Sequence, residues 1–479
     1  ISFYTTGENH FIDMCRGPHI ESTGKIGAVK LKSIAGAYWR GDEKKPMLTR
    51  IYGYAFETEK ELNAHIERVE EAKRRDHRVL GKELGLFVFS DIVGKGLPLW
   101  TAKGATVRRE LERFIVDEEI KRGYQHVYTP DIAKIDLYKT SGHYPYYKDS
   151  MYAPITIEDE EYMLRPMTCP HHFELYLSGK KSYRDLPVRI AELAKLYRYE
   201  KSGELTGLIR VRSFCLADAH IIAMPTQAED EINRALDLIE YITQILDLKP
   251  NEDYRYRLSL GDRSNDKKYF KDDNAWDYAE KVLRDVLKKR DVESYEAQGE
   301  AAFYGPKIDI QMKNYVGKEE TAFTVQYDFV MPKRFNLEYV DENGQDQEAI
   351  VIHRSSIGAI ERIMAFLIEK YAGDFLLWLS PEQVRIIPIA EKHIEYAKEI
   401  EQMYKDEGIR VTVDNRNETL QYRIRDLELN KIPYALIIGD KEVNTETVSI
   451  RSRKSKEVGL MRADEFLREI KKEIEEKRK

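Results

Sequence analysis

The sequence predicts an α+β protein: a large antiparallel sheet in the middle of the chain, followed by a smaller α/β domain. Three observations carry this. Between residues 85 and 378 the strand-like runs VRIAELAKLYRY, RVRSFCLADAHIIA, YRLSL, KIDIQMK, AFTVQYDF and EAIVIH are separated by helices that do not alternate strictly with them, a pattern that favours an antiparallel over a doubly wound sheet. After WLSP (378–381) the short apolar runs VRIIPIA, IRVTVD and YALIIGD alternate with helical stretches near 392–407 and 418–430, the βαβα signature of a largely parallel sheet. Finally, 479 residues are too many for one core, and the length suggests about three domains.

Taken in order, residues 1–45 are rich in glycine, with short strand-like runs such as GAVKLKSI. They read as the end of a domain, and because the chain opens at Ile1 in mid-pattern, a trimmed N-terminus is expected. Residues 46–84 form a linker region. Thr58 is a candidate N-cap and Glu61 completes a capping box, after which ELNAHIERVEEAKRRDHRVLGKEL reads as one long polar helix. In 85–378 a helix, ATVRRELERFIVDEEIKRG, leads to a strand and then Pro130. Residues 379–479 make the α/β domain, closed by a charged helix.

With 42% hydrophobic and 34% charged residues the composition is that of an ordinary globular protein. No apolar run approaches the ~20 residues of a membrane span, and no signal-peptide pattern opens the chain. Cysteines at 15, 169 and 215 make no disulfide framework, which favours a reducing compartment and a cytoplasmic location. The net charge of −7 neither announces nucleic-acid binding nor excludes it, because phosphate binding needs only a local basic face.

The stretch MLRPMTCPHH (163–172) holds Cys169 beside His171 and His172. A zinc site needs three or four ligands, and His220 and His353, at or after strand ends, are available to join Cys169. Spacing alone leaves the alternative open, a buried thiol with two hydrogen-bonded histidines. In RYEKSGELTGLIRVRSF (198–214) Arg198 and Glu200 lie two apart on a strand, pointing the same way. After a polar turn the return strand carries Arg210 and Phe214. Two arginines, a carboxylate and a ring suit a nucleotide: an arginine fork for phosphate, Phe214 against a base, and Glu200 accepting from an exocyclic amine. In HRSSIGAIERIMAFLIEKY, Gly358 and Arg362 open a helix that faces the sheet; the pattern alone leaves two readings open, an arginine that holds a second phosphate or a helix-packing glycine with a salt-bridged arginine.

These pieces resemble the signatures of class II aminoacyl-tRNA synthetases. The helix before Pro130 resembles motif 1, Arg198-x-Glu200…Arg210-x-x-x-Phe214 resembles motif 2, and Gly358-x-x-x-Arg362 resembles motif 3. FIDMCRGPH (11–19), AGAYWRGD (35–42), KTSGHYPYYKDSMY (139–152), SYRDLPVRIAE (182–192), GEAAFYGPKIDI (299–310) and GDKEV (439–443) are similar to the threonyl-tRNA synthetases of subclass IIa, from one end of the chain to the other.

The resemblance implies a catalytic domain built on the class II antiparallel sheet, a C-terminal α/β anticodon-binding domain, and at 1–45 the remnant of an N-terminal editing domain. It implies one Zn²⁺ on Cys169, His220 and His353, with His171 and His172 outside the site and an open position for substrate. It implies threonine against Asp218, Tyr304 and Lys307, and ATP with Mg²⁺ against Arg198, Glu200, Arg210, Phe214 and Arg362, with Arg198 and Arg362 catalytic. The reaction implied is activation of L-threonine to threonyl-adenylate and transfer to the 3′ end of tRNA(Thr). Asn417, Glu418, Arg425, Lys441, Glu442 and Arg451 match anticodon-contacting positions, and the motif 1 region implies a homodimer. Cys15 and His19 match the editing site, whose upstream His-x-x-x-His pair this sequence lacks, so clearance of Ser-tRNA by this polypeptide is not expected.

The sequence departs from the family in places. Ser213, Cys215, Leu216 and Ala217 stand where the family more often has Gly, Thr, Gln and Asp. Thr206 replaces a usual His, and Thr321 and Phe323 replace Gln and a small residue near the adenosine. Weakened threonine or ATP binding is the expectation from these changes, with Cys215 packing and not a fourth ligand. The alternative is a catalytically weakened or non-charging paralogue that binds tRNA.

Overall fold

A computed structural model describes residues 2–7, 11–315, 317–453 and 459–477. Residues 1–74 form one compact unit and residues 75–479 another. In the first, β1 (Ser2–Thr6) pairs antiparallel with β2 (Phe11–Cys15). The strands β3 (Ala28–Tyr38) and β4 (Met47–Phe56) form a long hairpin. A boundary at 45/46 falls inside this hairpin, so residues 46–56 go with the strands that precede them. Helix α1 (Glu59–Arg75) starts with the expected capping box: Glu61 N donates to Thr58 Oγ1 at 3.2 Å and Thr58 N donates to Glu61 Oε2 at 3.1 Å.

The single long helix expected over 61–84 is corrected to two. The first ends at Arg75, and α2 (His77–Glu83) begins anew with Asp76 as N-cap, its carboxylate accepting from Arg78 N at 2.8 Å. An aspartate that can satisfy a helix-start amide competes with helix continuation, and the polar periodicity on either side hid the break.

In the second unit α3 (Ala102–Lys121), capped by Thr101, buries Val107, Leu111, Phe114 and Ile115. It leads to β5 (Gln125–His126). The short helix α4 (Cys169–Leu177) precedes the strands β6 (Val188–Tyr197) and β7 (Ser213–Ala223). Then come α5 (Ala228–Ile245), β8 (Tyr254–Leu260), α6 (Asp273–Lys289), β9 (Ser294–Gln298), β10 (Lys307–Lys313), β11 (Glu319–Asp328), β12 (Ile350–Ala359) and α7 (Ile360–Tyr371). Eight strands make one sheet in the order β9-β8-β10-β11-β12-β7-β6-β5. Its central pairings are antiparallel, with parallel pairs only at the edges, β8 with β9 and β6 with β5. The main core packs α3, α5, α6 and α7 against one face of this sheet, which leaves the other face for the site.

The C-terminal part comprises β13 (Val384–Pro388), α8 (Ile394–Asp406), β14 (Val411–Val413), α9 (Leu420–Leu429), β15 (Tyr434–Ile438), α10 (Asp440–Thr445), β16 (Thr447–Ser452), β17 (Gly459–Arg462) and α11 (Ala463–Glu475). The sheet runs β14-β13-β15-β16-β17. The three strands read from the sequence are parallel, but β16 and β17 add antiparallel edges, so the sheet is mixed. TVSIRS is half-buried by alternation, with Val448 and Ile450 inward, and is too polar to stand out as an apolar run. Among the described residues no helix is long and apolar enough to cross a membrane.

Candidate active site

Alternation along the central strands decides which side chains meet. Across the sheet Lys307 pairs with Gln326, Gln326 with His353, and His353 with His220. Two residues along, Asp309, Thr324, Ser355, Asp218 and Glu192 form a second row. Directly paired residues share a face, so both rows look into the same space. The intervening residues of β7, Cys215, Ala217 and Ala219, point into the main core. Cys215 therefore packs, its amide donating to Glu361 Oε2 at 2.9 Å. Burial and the Glu361 charge push its thiol up to about 12.

A cavity of about 240 Å³ opens over Gln326, His353 and His220 of the first row and Thr324, Ser355 and Asp218 of the second. At its deep end the ligand atoms of Cys169, His220 and His353 lie within 4.8 Å of one another, all three residues buried. Cys169 is brought there as the first residue of α4, where Pro170 suits the helix start. Each histidine has one ring nitrogen engaged elsewhere. His353 Nε2 is 2.7 Å from Asp328 Oδ2, and His220 Nδ1 is 2.8 Å from His172 Nδ1. One nitrogen of each thus stays free, and the donor set of one sulfur and two imidazole nitrogens fits a zinc ion with an open position. Burial, then the Asp218 and Asp328 carboxylates, raise the Cys169 thiol, and burial with its histidine neighbours lowers His220. Asp218 is raised by burial, against the opposing His172 and His353 charges. A cation bound between these groups reverses that balance.

The other end of the cavity is cationic. Arg198, Arg210 and Arg362 line it together with Glu200 and Phe214. The Arg198 guanidinium lies 5.1 Å from the centre of the Phe214 ring, and Arg210 Nη1 is 3.9 Å from Glu200 Oε2. Arg362 donates to the carbonyls of Thr321 at 2.6 Å and Ile209 at 3.2 Å. Burial lowers the pKa of Arg198. For Arg362 burial acts first, and then the neighbouring Arg198 charge. Buried guanidiniums that repel each other are relieved by an anion.

Several placements differ from the sequence reading. Arg198 and Glu200 follow the end of β6, and Arg210 precedes β7, so they are set by the loop and not by strand phase; Arg198 N donates to Arg212 O at 3.0 Å. Gly358 does not open the helix. It sits in β12 at φ +73, and a Cβ there would run into the Ala322 carbonyl. Lys307 shares its row with Gln326 but does not line the cavity; its ammonium turns to Asp309 Oδ2 at 3.1 Å. Tyr304 does line the cavity, its hydroxyl donating to Gln326 Oε1 at 2.7 Å. Leu216 and Thr321 also line it, whereas Phe323 is fully buried in the main core.

In the C-terminal part Asn417, Glu418, Arg425 and Lys441 are exposed. Arg451 pairs with Glu428 at 2.8 Å. Glu442 is turned inward, accepting from Gly439 N at 2.9 Å, which leaves its carboxylate committed to a helix start. In the first unit Cys15 Sγ lies 2.6 Å from His19 Nε2, and the His19 ring stacks on Tyr4 at 3.9 Å.

Sequence reasoning missed the groups behind the triad. His172 was set outside the site, yet it joins His220 to Glu192, whose Oε2 is 3.3 Å from His172 Nε2. Glu192 also accepts from Thr129 Oγ1 at 2.7 Å and from Arg165 at 3.0 Å. Burial works against its charge, but the His172 and Thr129 hydrogen bonds and Arg165 hold it down at about 2. The available signals were a glutamate at an inward position of an apolar strand (RIAELAK) and an aspartate closing another (VQYDF).

Comparison with known proteins gives the relatives of this chain. The family described as tRNA synthetase class II core domain (G, H, P, S and T) matches residues 152–371. An anticodon binding domain matches 383–473, and the threonyl and alanyl tRNA synthetase second additional domain matches 1–52. The threonine–tRNA ligase of Halalkalibacterium halodurans is 50% identical over 474 residues, 99% of this chain and 73% of that protein. That of Geobacillus kaustophilus is 49% identical over 479 residues, 100% of this chain and 73% of that protein. A crystal structure titled as the RNA binding domain of threonyl-tRNA synthetase from Cryptosporidium parvum superposes with a TM-score of 0.78 at 35% identity, covering 83% of this chain and 98% of that one. With a catalytic core, an anticodon domain and near-complete coverage by such relatives, the chain belongs to the threonine–tRNA ligases, a family of class II aminoacyl-tRNA synthetases.

Proposed function

We propose that the chain activates L-threonine with ATP and passes it to the 3′ end of tRNA(Thr). The observation that carries this is the shared cavity: a Cys169, His220 and His353 donor set at one end and the Arg198, Arg210 and Arg362 cations at the other. Those ends are suited to an amino acid and a triphosphate held in one space.

In the first step a threonine carboxylate oxygen attacks the α-phosphorus of ATP, and pyrophosphate leaves with its Mg²⁺. Arg198 offsets charge at the α-phosphate and carboxylate, Arg210 and Arg362 hold the outer phosphates, Phe214 stacks on the adenine, and Glu200 accepts from its amine. In the second step a ribose hydroxyl of the terminal tRNA nucleotide attacks the threonyl carbonyl and AMP leaves. Catalysis of this kind rests on positioning and charge stabilisation.

A Zn²⁺ held by Cys169, His220 and His353 would supply a Lewis-acid contact for the amino group and the side-chain hydroxyl of threonine. Asp218, in the adjacent row, accepts from that hydroxyl, with Tyr304 beside it. A site built on the hydroxyl rejects valine by about 10⁴ or more, which a hydrophobic pocket cannot do.

The proposal extends to the rest of the chain. Residues 85–378 serve as the catalytic domain. Residues 379–479 read the anticodon through exposed Asn417, Glu418, Arg425 and Lys441 and through Arg451, with Glu442 shaping the loop. The motif 1 region forms a homodimer, Cys15 and His19 belong to an editing-type domain, and the protein works in the cytoplasm. ATP–pyrophosphate exchange with threonine, serine, valine and proline, with and without a chelator, tests the reading. Exchange with threonine that the chelator abolishes is expected. Exchange that favours valine or proline, or none with any of the four, would overturn it.

A further inference from the structure

His77, the first residue of α2, is a buried histidine that the reaction does not use. Its side chain is 2% exposed, and Nδ1 lies 2.7 Å from Glu369 Oε1 on α7. Its other nitrogen, Nε2, accepts the backbone N–H of Leu208 at 3.1 Å. A ring nitrogen that accepts carries no proton, so the proton sits on Nδ1 and is donated to Glu369. The imidazole therefore ties α7 to the loop between β6 and β7.

The fit is close. Gly207, at φ +49, precedes the tied amide, and a Cβ there would overlap His77 Nε2. One residue further on, the Ile209 carbonyl accepts from Arg362 Nε at 3.2 Å, and Arg362 belongs to α7 as well. The same helix thus grips consecutive loop residues twice, directly at Ile209 and through His77 at Leu208. Leu208, Ile209, Arg210 and Val211 all line the cavity. Arg210 is exposed, so its reach into the cavity depends on the backbone that carries it.

We propose that His77 is a positioning residue for ATP: it fixes the Leu208–Val211 backbone so that Arg210 meets the outer phosphates. This rests on the reading of the loop as a nucleotide-binding element. The test is ATP–pyrophosphate exchange, with ATP varied at saturating threonine and then the reverse, on His77→Ala, His77→Gln, Gly207→Ala and Arg210→Ala, alongside thermal midpoints. Loss of one buried hydrogen bond at the loop raises the KM for ATP about 3- to 10-fold. The KM for threonine stays within about twofold, as expected for an effect confined to nucleotide binding.

His77→Gln, whose side-chain carbonyl can accept from Leu208, recovers most of the effect. Gly207→Ala, whose Cβ meets the His77 ring and the Arg78 side chain from the loop side, reproduces it even if His77→Ala fails to fold. Two results would overturn the proposal: a lower thermal midpoint with both KM values and kcat moving together, or no rescue by glutamine. If Arg210→Ala leaves the KM for ATP unchanged, the loop reading itself fails. A raised KM for Arg210→Ala with unchanged values for His77→Ala and Gly207→Ala removes only the role of His77.

Discussion

The Nδ1 atoms of His172 and His220 lie 2.8 Å apart in the buried floor of the cavity, so one ring must donate and the other accept. His172 Nε2 faces the Glu192 carboxylate, which can only accept. The consistent arrangement puts a proton on His172 Nε2 and leaves its Nδ1 to accept from His220 Nδ1–H. His220 Nε2 then keeps its lone pair for a metal. This is how an outer partner selects the tautomer of a metal-binding histidine.

Replacing His172 by Ala should therefore weaken zinc binding about 10- to 100-fold. Competition of the purified variant against a chromophoric chelator measures this without reference to catalysis. Unchanged zinc affinity would show that His172 merely fills space.

Glu192 supplies a pH signature. Its carboxyl is held at about 2 against an ordinary value of 4.5. A depressed carboxyl contributes stability that is complete above the unfolded value and lost as the pH falls toward the folded one. The difference in urea midpoint between the wild-type protein and Glu192→Gln should be constant above about pH 5 and shrink toward pH 3. A difference that grows on acidification would contradict the assignment.

Gly358→Ala forces a side chain onto a backbone at φ +73 and against the Ala322 carbonyl. Strain of this kind costs on the order of 1–3 kcal/mol. Because Arg362 follows four residues later, exchange activity should fall along with the denaturation midpoint. An alanine variant with a wild-type midpoint would mean that the strand end can move freely.

Asp218→Ala should lower kcat/KM for threonine by roughly 100-fold while changing the weak valine activity far less, because only threonine offers a hydroxyl to that carboxylate. Equal losses for both amino acids would place Asp218 in scaffolding.

Much of this site was legible because strand alternation is a strict rule. Asp218 and His220 had to share a face, and so did His353 and Ser355. What the sequence could not carry was pairing between strands far apart in the chain. Nothing local says that Asp328 lies against His353 or that Glu192 sits behind His172. Likewise the long polar periodicity around Asp76 concealed a helix break, because the capping competition there is decided by one side chain. For Lys307 the row was legible, but not the direction of its ammonium, which turns to a buried carboxylate two residues away.

The alternation that sets Leu216, Asp218 and His220 on the cavity side of β7 carries a lasting consequence for how this protein can vary. One residue more or less in β7, β11 or β12, with no bulge to absorb it, would send the chemistry-bearing side chains inward among the packing helices and turn greasy ones toward substrate. Viable descendants can thus differ in these strands by replacement, or by a bulge such as the one at Ala322 of β11, while other gains and losses of length are confined to the connecting turns.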